Sequence, residues 1–265
     1  MHNNFIRAMD AHIHLDQYTP EDQQKLLSEA AAAGVSQVVA VSMRYDSTLA
    51  THALAQAYPE QVIPAYGFHP EQPLPSEESI AELLHWIREH QDERFAIGEV
   101  GLPYYNRIEA EATGQSFELE GYIKLLDRFV QLAHELDRPI VLHAVYEDAD
   151  IACDLLEKHQ VTRAHFHWFK GAPHTVDRMI RNGYFISITP DVCYESEIQD
   201  LVRAYPIEQL MVETDGPWPF EGPFMGQQTH PKMVLDVIRV IADLKSIPVT
   251  DAASILYNNT VKLYT

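Results

Sequence analysis

The sequence predicts an α/β protein folded as a (β/α)8 TIM barrel. Eight short apolar, β-branched runs alternate with amphipathic helical stretches. The length of 265 residues suits a barrel whose usual size is about 250. Polar residues of metal-ligand type recur at the C-terminal ends of the apolar runs, the face on which such a barrel carries its chemistry. The alternation alone also allows a doubly wound sheet, so the third observation separates the two.

In order, the strand segments are 6–13 (IRAMDAHI), 36–42 (SQVVAVS), 62–67 (VIPAYG), 94–99 (RFAIGE), 139–143 (PIVLH), 163–167 (RAHFH), 184–189 (YFISIT) and 209–214 (QLMVET). Between them, residues 21–33 read as a helix stopped by Gly34. A second helix, 46–57, starts at Asp46 and Ser47. A third, 76–90, opens with Ser76 and a Glu at the third helical position, the residues of a capping box. The stretch 116–136 places Phe117, Tyr122, Leu125, Leu126, Phe129, Leu132 and Leu136 on one side, a long amphipathic helix. Further helices fit 148–159, 173–182, 194–204, 231–246 and 250–263. No low-complexity segment, Gly/Ser linker or repeat divides the chain, so residues 1–265 read as a single domain.

Composition narrows the function classes. A hydrophobic content of 46% and a charged content of 22% are those of a globular protein. The N-terminal MHNNFIRAMD has no apolar leader core, and no apolar run approaches the roughly 20 residues that span a bilayer. Cys153 and Cys193 lie far apart, form no thiolate metal pattern and read as reduced structural thiols of a cytoplasmic protein. The net charge of −20 argues against a broad nucleic-acid-coating surface, which needs clustered Lys and Arg. It does not exclude local recognition of one phosphate at a metal site. The sequence says nothing of oligomeric state.

The chemistry starts at MDAHIHLD. Alternate strand residues share a face, so His12 and His14 project the same way and can grip one cation. With 14 histidines in the chain, about 0.7 H-x-H pairs arise by chance, so the pair needs company. The company is there. The third strand ends at His69, the fourth at Glu99, the fifth at His143, the sixth at His165 and His167, and the eighth at Asp215. A barrel would converge these on one mouth. Imidazoles and carboxylates without thiolate suit Zn²⁺, Mn²⁺ and similar divalent ions in hydrolytic sites. Such a set exceeds the three ligands that a single catalytic zinc takes, which leaves enough for two ions sharing one carboxylate, with Glu99 the best bridge.

MDAHIHLD, GFHP, GEVGL, VLH, HWFKG and ETDGPW, in that order along nearly the whole chain, resemble the TatD-type metal-dependent hydrolases, a branch of the amidohydrolase-like barrel superfamily. The resemblance implies two divalent metal ions (Zn, Mn, Mg or similar). One would be held by His12, His14, Glu99 and Asp215, the other by Glu99, His143 and His167. It assigns His69 to substrate or second-shell contact, and leaves His165 structural. Four positions depart from the family pattern: Pro103 replaces an Asp after GEVGL, Val145 an Arg after VLH, Glu71 a second His after GFHP, and Thr229-His230-Pro231 an Asn-Glu-Pro. All are expected on the substrate side.

A bound divalent ion can lower the pKa of its water from about 15.7 toward about 7. Asp215 is then the candidate general base, passing the proton to the leaving group. Tyr104, Tyr105 and Trp218 either rim the mouth, stacking on a base, or simply pack. The resemblance makes phosphodiester hydrolysis, deoxyribonuclease-like and acting at strand ends, the first reading. The missing arginine at Val145 and the net charge favour a small ester, amide or cyclic amide as the alternative. A metal-binding scaffold without catalysis would not need a ligand set beside a general base.

Overall fold

In the computed structural model, which describes residues 6–265, eight strands alternate with helices. The first five residues, part of the stretch read above for a leader, lie outside the described residues. The strands are β1 (Ala8–Ile13), β2 (Val35–Val41), β3 (Val62–Tyr66), β4 (Ala96–Gly101), β5 (Ile140–His143), β6 (Ala164–Phe166), β7 (Phe185–Ile188) and β8 (Leu210–Val212). They lie side by side in chain order, each parallel to the next. The ring closes at its mouth, where Asp215 N–H donates to His12 O at 2.9 Å and His14 N–H to Gly216 O at 2.8 Å. This is a (β/α)8 barrel, and the doubly wound alternative falls.

The helices are α1 (Pro20–Ala33), α2 (Tyr45–Ala57), α3 (Glu77–Glu89), α4 (Tyr104–Ala112), α5 (Leu119–Glu135), α6 (Asp148–His159), α7 (Pro173–Asn182), α8 (Ser196–Ala204), α9 (Val234–Lys245) and α10 (Val249–Tyr264). Their ends follow local chemistry. Thr19 caps α1 by accepting from Asp22 N–H at 3.2 Å, Pro20 takes the first helical position, and Gly34 ends the helix at φ 102°. The capping box read at Ser76 needs correction. Ser76 does cap α3, accepting from Ser79 N–H at 3.2 Å, but the third helical residue is Ser79, and no carboxylate reaches back. Helix α4 was not legible because none of its residues is buried, so no apolar stripe marks it.

Two apolar shells hold the barrel. Inside the ring, Met9, Ala11, Val39, Val41, Ile63, Ala65, Ala96, Val141, Phe185 and Met211 fill the lumen, and Leu263 and Tyr264 of α10 plug its lower end. Arg163 and Arg94, which precede β6 and β4, anchor that plug by donating to Leu263 O at 2.7 Å and Tyr264 O at 3.2 Å. Outside, strand residues such as Ile97, Leu142 and Ile188 pack on Leu83, Phe129, Leu156 and Ile241 of the helices. Each large side chain so buried contributes about 1.5–3 kcal/mol. Among the described residues, no helix is long and apolar enough to cross a membrane.

Candidate metal centre

Two irregular strands aim the site. In β1, Met9 and Ala11 face the lumen while Ile13 packs outside with Leu15 and Leu26, and the pairing register slips between Asp10 and Ile13. The bulge turns His12 and His14 to the mouth, where strict alternation from Ala11 would have sent Ile13. Their rings lie 5.3 Å apart. In β4 the register slips between Ile97 and Val100, around Gly98 and Glu99. Gly98 sits at φ 150°, and a Cβ there would lie 2.7 Å from Val141 Cβ, so only glycine fits before the buried carboxylate. At Gly101 a Cβ would fall 1.9 Å from His143 O, which lets β4 and β5 approach closely beneath the two side chains. Asp215 follows β8 at φ 46°, a left-handed conformation that Asp tolerates better than most residues.

The structure brings His12, His14, His69, Glu99, His143, His167 and Asp215 together, each buried. Glu99 is central and its two oxygens face different partners. Oε2 lies 3.2 Å from both His12 Nε2 and His14 Nε2, and Asp215 Oδ1 lies 3.2 and 3.4 Å from the same two nitrogens. Oε1 lies 2.9 Å from His143 Nδ1 and 2.8 Å from His167 Nε2, which are themselves 3.1 Å apart. His69 Nε2 stands 3.3 Å from Oε1. Glu71 N–H donates to His69 Nδ1 at 3.1 Å, so the neutral ring carries its proton on Nε2 and meets Glu99 as a donor, not as a lone pair.

The residues fit divalent ions. His12 Nε2, Glu99 Oε2 and Asp215 Oδ1 are buried and near one another, yet none makes a hydrogen bond. Unpaired buried acceptors cost free energy unless something positive satisfies them. Spacings of 3.2 to 3.4 Å match the edges of a tetrahedron whose ligands lie about 2.0–2.1 Å from its centre. Electrostatics agree. Burial acts to raise the Glu99 carboxyl, but the facing His69, His167 and His12 rings hold it well below the usual carboxylate range. Burial likewise opposes, and His12 and His14 outweigh it, at Asp215, which is also held low. Burial would lower His14, yet Asp215 and Glu99 lift it to about 10. Two anionic carboxylates in a desolvated mouth demand positive charge.

A second layer, missed from the sequence, orients these groups. Glu71 stands 3.4 Å from His143 Nε2, on the far side of the ring from Glu99, and its oxygens also accept from Tyr105 N–H at 2.8 Å and Asn106 N–H at 2.9 Å. This departure from the family pattern therefore braces His143 and starts α4; it does not simply line the substrate side. Asp10 accepts from Thr214 N–H at 2.9 Å and from the Thr214 hydroxyl, tying β1 to the end of β8. Its place two residues before His12 was the available signal.

Below the mouth runs a buried polar line: the Tyr264 hydroxyl donates to His165 Nδ1 at 2.6 Å, His165 Nε2–H to Ser187 Oγ, and the Ser187 hydroxyl to Glu213 Oε2 at 2.6 Å. Glu213 Oε1 accepts from Trp168 N–H at 2.7 Å and lies 3.7 Å from His167 Nδ1. Burial, with His12 and His167 nearby, keeps His165 well below the ordinary histidine range and hence neutral, as a structural residue.

The other changed positions are apolar or engaged. Pro103 sits just before the first residue of α4 and Val145 is buried. His230 pairs with Glu29 at 3.1 Å, and Thr229 O accepts from Tyr18 at 3.0 Å. Around the mouth Tyr105 and Trp218 are exposed, by 53% and 56%. Trp218 stands edge-on to Trp168 at 5.7 Å, and Tyr104 lies against Tyr146 at 4.8 Å.

A (β/α)8 barrel with this imidazole–carboxylate cluster at the C-terminal ends of its strands defines a metal-dependent hydrolase. The comparisons specify which kind. Residues 9–265 match the family described as TatD related DNase. The chain is 38% identical to an uncharacterized metal-dependent hydrolase of Haemophilus influenzae over 96% of this chain and 98% of that protein. It is 29% identical to human deoxyribonuclease TATDN3 over 98% of this chain and 95% of that protein. The crystal structure of YjjV, a TatD homologue from Escherichia coli, superposes with a TM-score of 0.84 at 28% identity, covering 98% of each chain. The protein belongs to the TatD family.

Proposed function

We propose that residues 1–265 act as one catalytic domain that hydrolyses phosphodiester bonds at the ends of short nucleic-acid strands, with two divalent ions on either side of Glu99. His12, His14, Glu99 Oε2 and Asp215 would hold one ion; Glu99 Oε1, His143 and His167 would hold the other. The observation that carries this reading is the division of Glu99, one oxygen to each cluster, 3.2 Å from the first pair of histidines and 2.8 to 2.9 Å from the second. The human relative's name, deoxyribonuclease, supports the substrate class.

When bound, such ions lower the pKa of water toward about 7 and polarise a phosphoryl oxygen. Asp215 Oδ1 faces the same ion as His12 and His14, 3.2 and 3.4 Å from their Nε2 atoms, and Oδ2 would take the proton from the attacking water and return it to the leaving oxygen. His69, lowered mainly by burial and so neutral, keeps its Nε2 proton as a donor at the mouth. Tyr105 and Trp218 offer exposed faces on which a terminal base can stack, each such contact contributing about 1–3 kcal/mol.

One observation favours hydrolysis of a small ester, amide or cyclic amide instead. Arg107, on α4 beside the mouth, is bound by Asp148 at 2.7 Å and Glu147 at 3.1 Å, and Val145 supplies no cation. A panel decides: metal-loaded protein with short 3′- or 5′-labelled oligonucleotides, beside esters, N-acyl amino acids and cyclic amides. Nucleotide release that Asp215→Asn abolishes supports the first reading. Turnover confined to esters or amides refutes it, and nucleotide release unchanged by Asp215→Asn identifies a contaminating nuclease.

A further inference from the structure

A second convergence of ligand-type residues lies on the outside of the barrel wall. His52 comes from α2, His90 follows the last turn of α3, and Glu93 lies in the turn before β4. A ring nitrogen of each histidine and a Glu93 carboxylate oxygen all fall within 4.8 Å of one another. The cluster is separate from the mouth. Tyr66, whose hydroxyl is 3.1 Å from His52 Nδ1, packs in the helix layer, whereas Ile63 and Ala65 of the same strand face the lumen.

We propose that His52, His90 and Glu93 form a further divalent-metal site, of the zinc class, that clamps α2 and α3 to the start of β4. The His90 ring is already set as a ligand. Its Nδ1 lies 2.8 Å from Trp86 O, and a carbonyl only accepts, so Nδ1 carries the proton and the neutral ring keeps its lone pair on Nε2. Metal-bound imidazoles are typically held this way, through the other nitrogen to a backbone carbonyl.

Trp86 fixes both rings, stacked on His90 at 3.8 Å and edge-on to His52 at 5.3 Å. His52 Nδ1 and Glu93 Oε2 are 3.4 Å apart, the edge of a tetrahedron with ligands about 2.0–2.1 Å from its centre. Two imidazoles and one carboxylate select zinc and its transition-metal neighbours over Mg²⁺ and Ca²⁺, which prefer oxygen. The His52 and Glu93 side chains are 23% and 39% exposed, so an ion reaches them from solvent and keeps water in its remaining position.

The test is zinc content. The full chain and the variants His52→Gln, His90→Gln and Glu93→Gln are dialysed against Zn²⁺ alone, and bound zinc per chain is measured beside hydrolytic activity. The wild type should retain one more zinc than His52→Gln or His90→Gln, and activity should stay within about twofold because the mouth is untouched. The zinc-dependent rise in melting temperature should also be smaller in His90→Gln than in the wild type, since an ion held only by the folded chain stabilises it. Zinc content equal to wild type in either folded histidine variant overturns the proposal. So does a zinc-dependent rise in melting temperature in His90→Gln as large as that of the wild type.

Discussion

Glu71 is the residue whose role most sharply separates the structure from the family pattern. Glu71→Gln keeps its shape and removes its charge. In the structure one carboxylate accepts from two donors, Tyr105 N–H and Asn106 N–H, and stands 3.4 Å from His143 Nε2. Burial acts to raise the Glu71 carboxyl, but His143 and the Asn106 amide outweigh it, so the group is held low and anionic. A glutamine offers one acceptor oxygen where two backbone amides each used one. The loss at the start of α4 resembles removal of a helix cap, about 1 kcal/mol, because Tyr105 is exposed and water can replace the bond.

The effect on His143 is different in kind. Removing a carboxylate behind a metal-bound imidazole typically costs 10- to 100-fold in affinity, about 1.4–2.7 kcal/mol. Only the ion shared by Glu99 Oε1, His143 and His167 should weaken; the one at His12, His14 and Asp215 should not. Chelator-competition titration reads the two affinities, and denaturant unfolding of the metal-free protein reads the cap. If both ions weaken equally, or if neither changes by more than about twofold, the assignment of Glu71 to His143 is wrong.

Further outcomes follow from the same geometry. Asp215→Asn should lower kcat by about 10²–10⁴-fold, the usual contribution of a positioned base, with a smaller change in KM; an unchanged kcat would remove Asp215 from proton transfer. His14, held up to about 10, is protonated in the metal-free protein at pH 8, so metal uptake there should release at least one proton per chain, measurable in weakly buffered solution. No release would contradict the assignment of His14 as a ligand. The same raised pKa stabilises the metal-free protein fully below 6.5, and that contribution is lost as pH rises through about 10. Gly101→Ala would place a Cβ 1.9 Å from His143 O, so unfolding free energy should fall by at least about 1–3 kcal/mol. An equally stable variant would mean that β4 and β5 are not so close.

The sequence made the barrel legible because its strands are short β-branched runs and its helices carry apolar stripes. It made the imidazoles and carboxylates that gather at the mouth legible because they fall at strand ends. What it hid has common causes. Helix α4 buries nothing of its own and is started by Glu71, a residue more than thirty positions away. The bulges that turn His12, His14 and Glu99 inward leave no trace in alternation, since they break it. The supporting carboxylates Asp10, Glu71 and Glu213 read as ordinary acids until their donors, which come from other strands and loops, are in place.

The central claim is that Glu99 bridges two ions. Anomalous diffraction from crystals of the metal-loaded protein tests it directly. The account predicts two peaks at the mouth, one beside Glu99 Oε2 among His12, His14 and Asp215, the other beside Oε1 between His143 and His167. A single peak there, or peaks that leave Glu99 outside coordination distance, would contradict it.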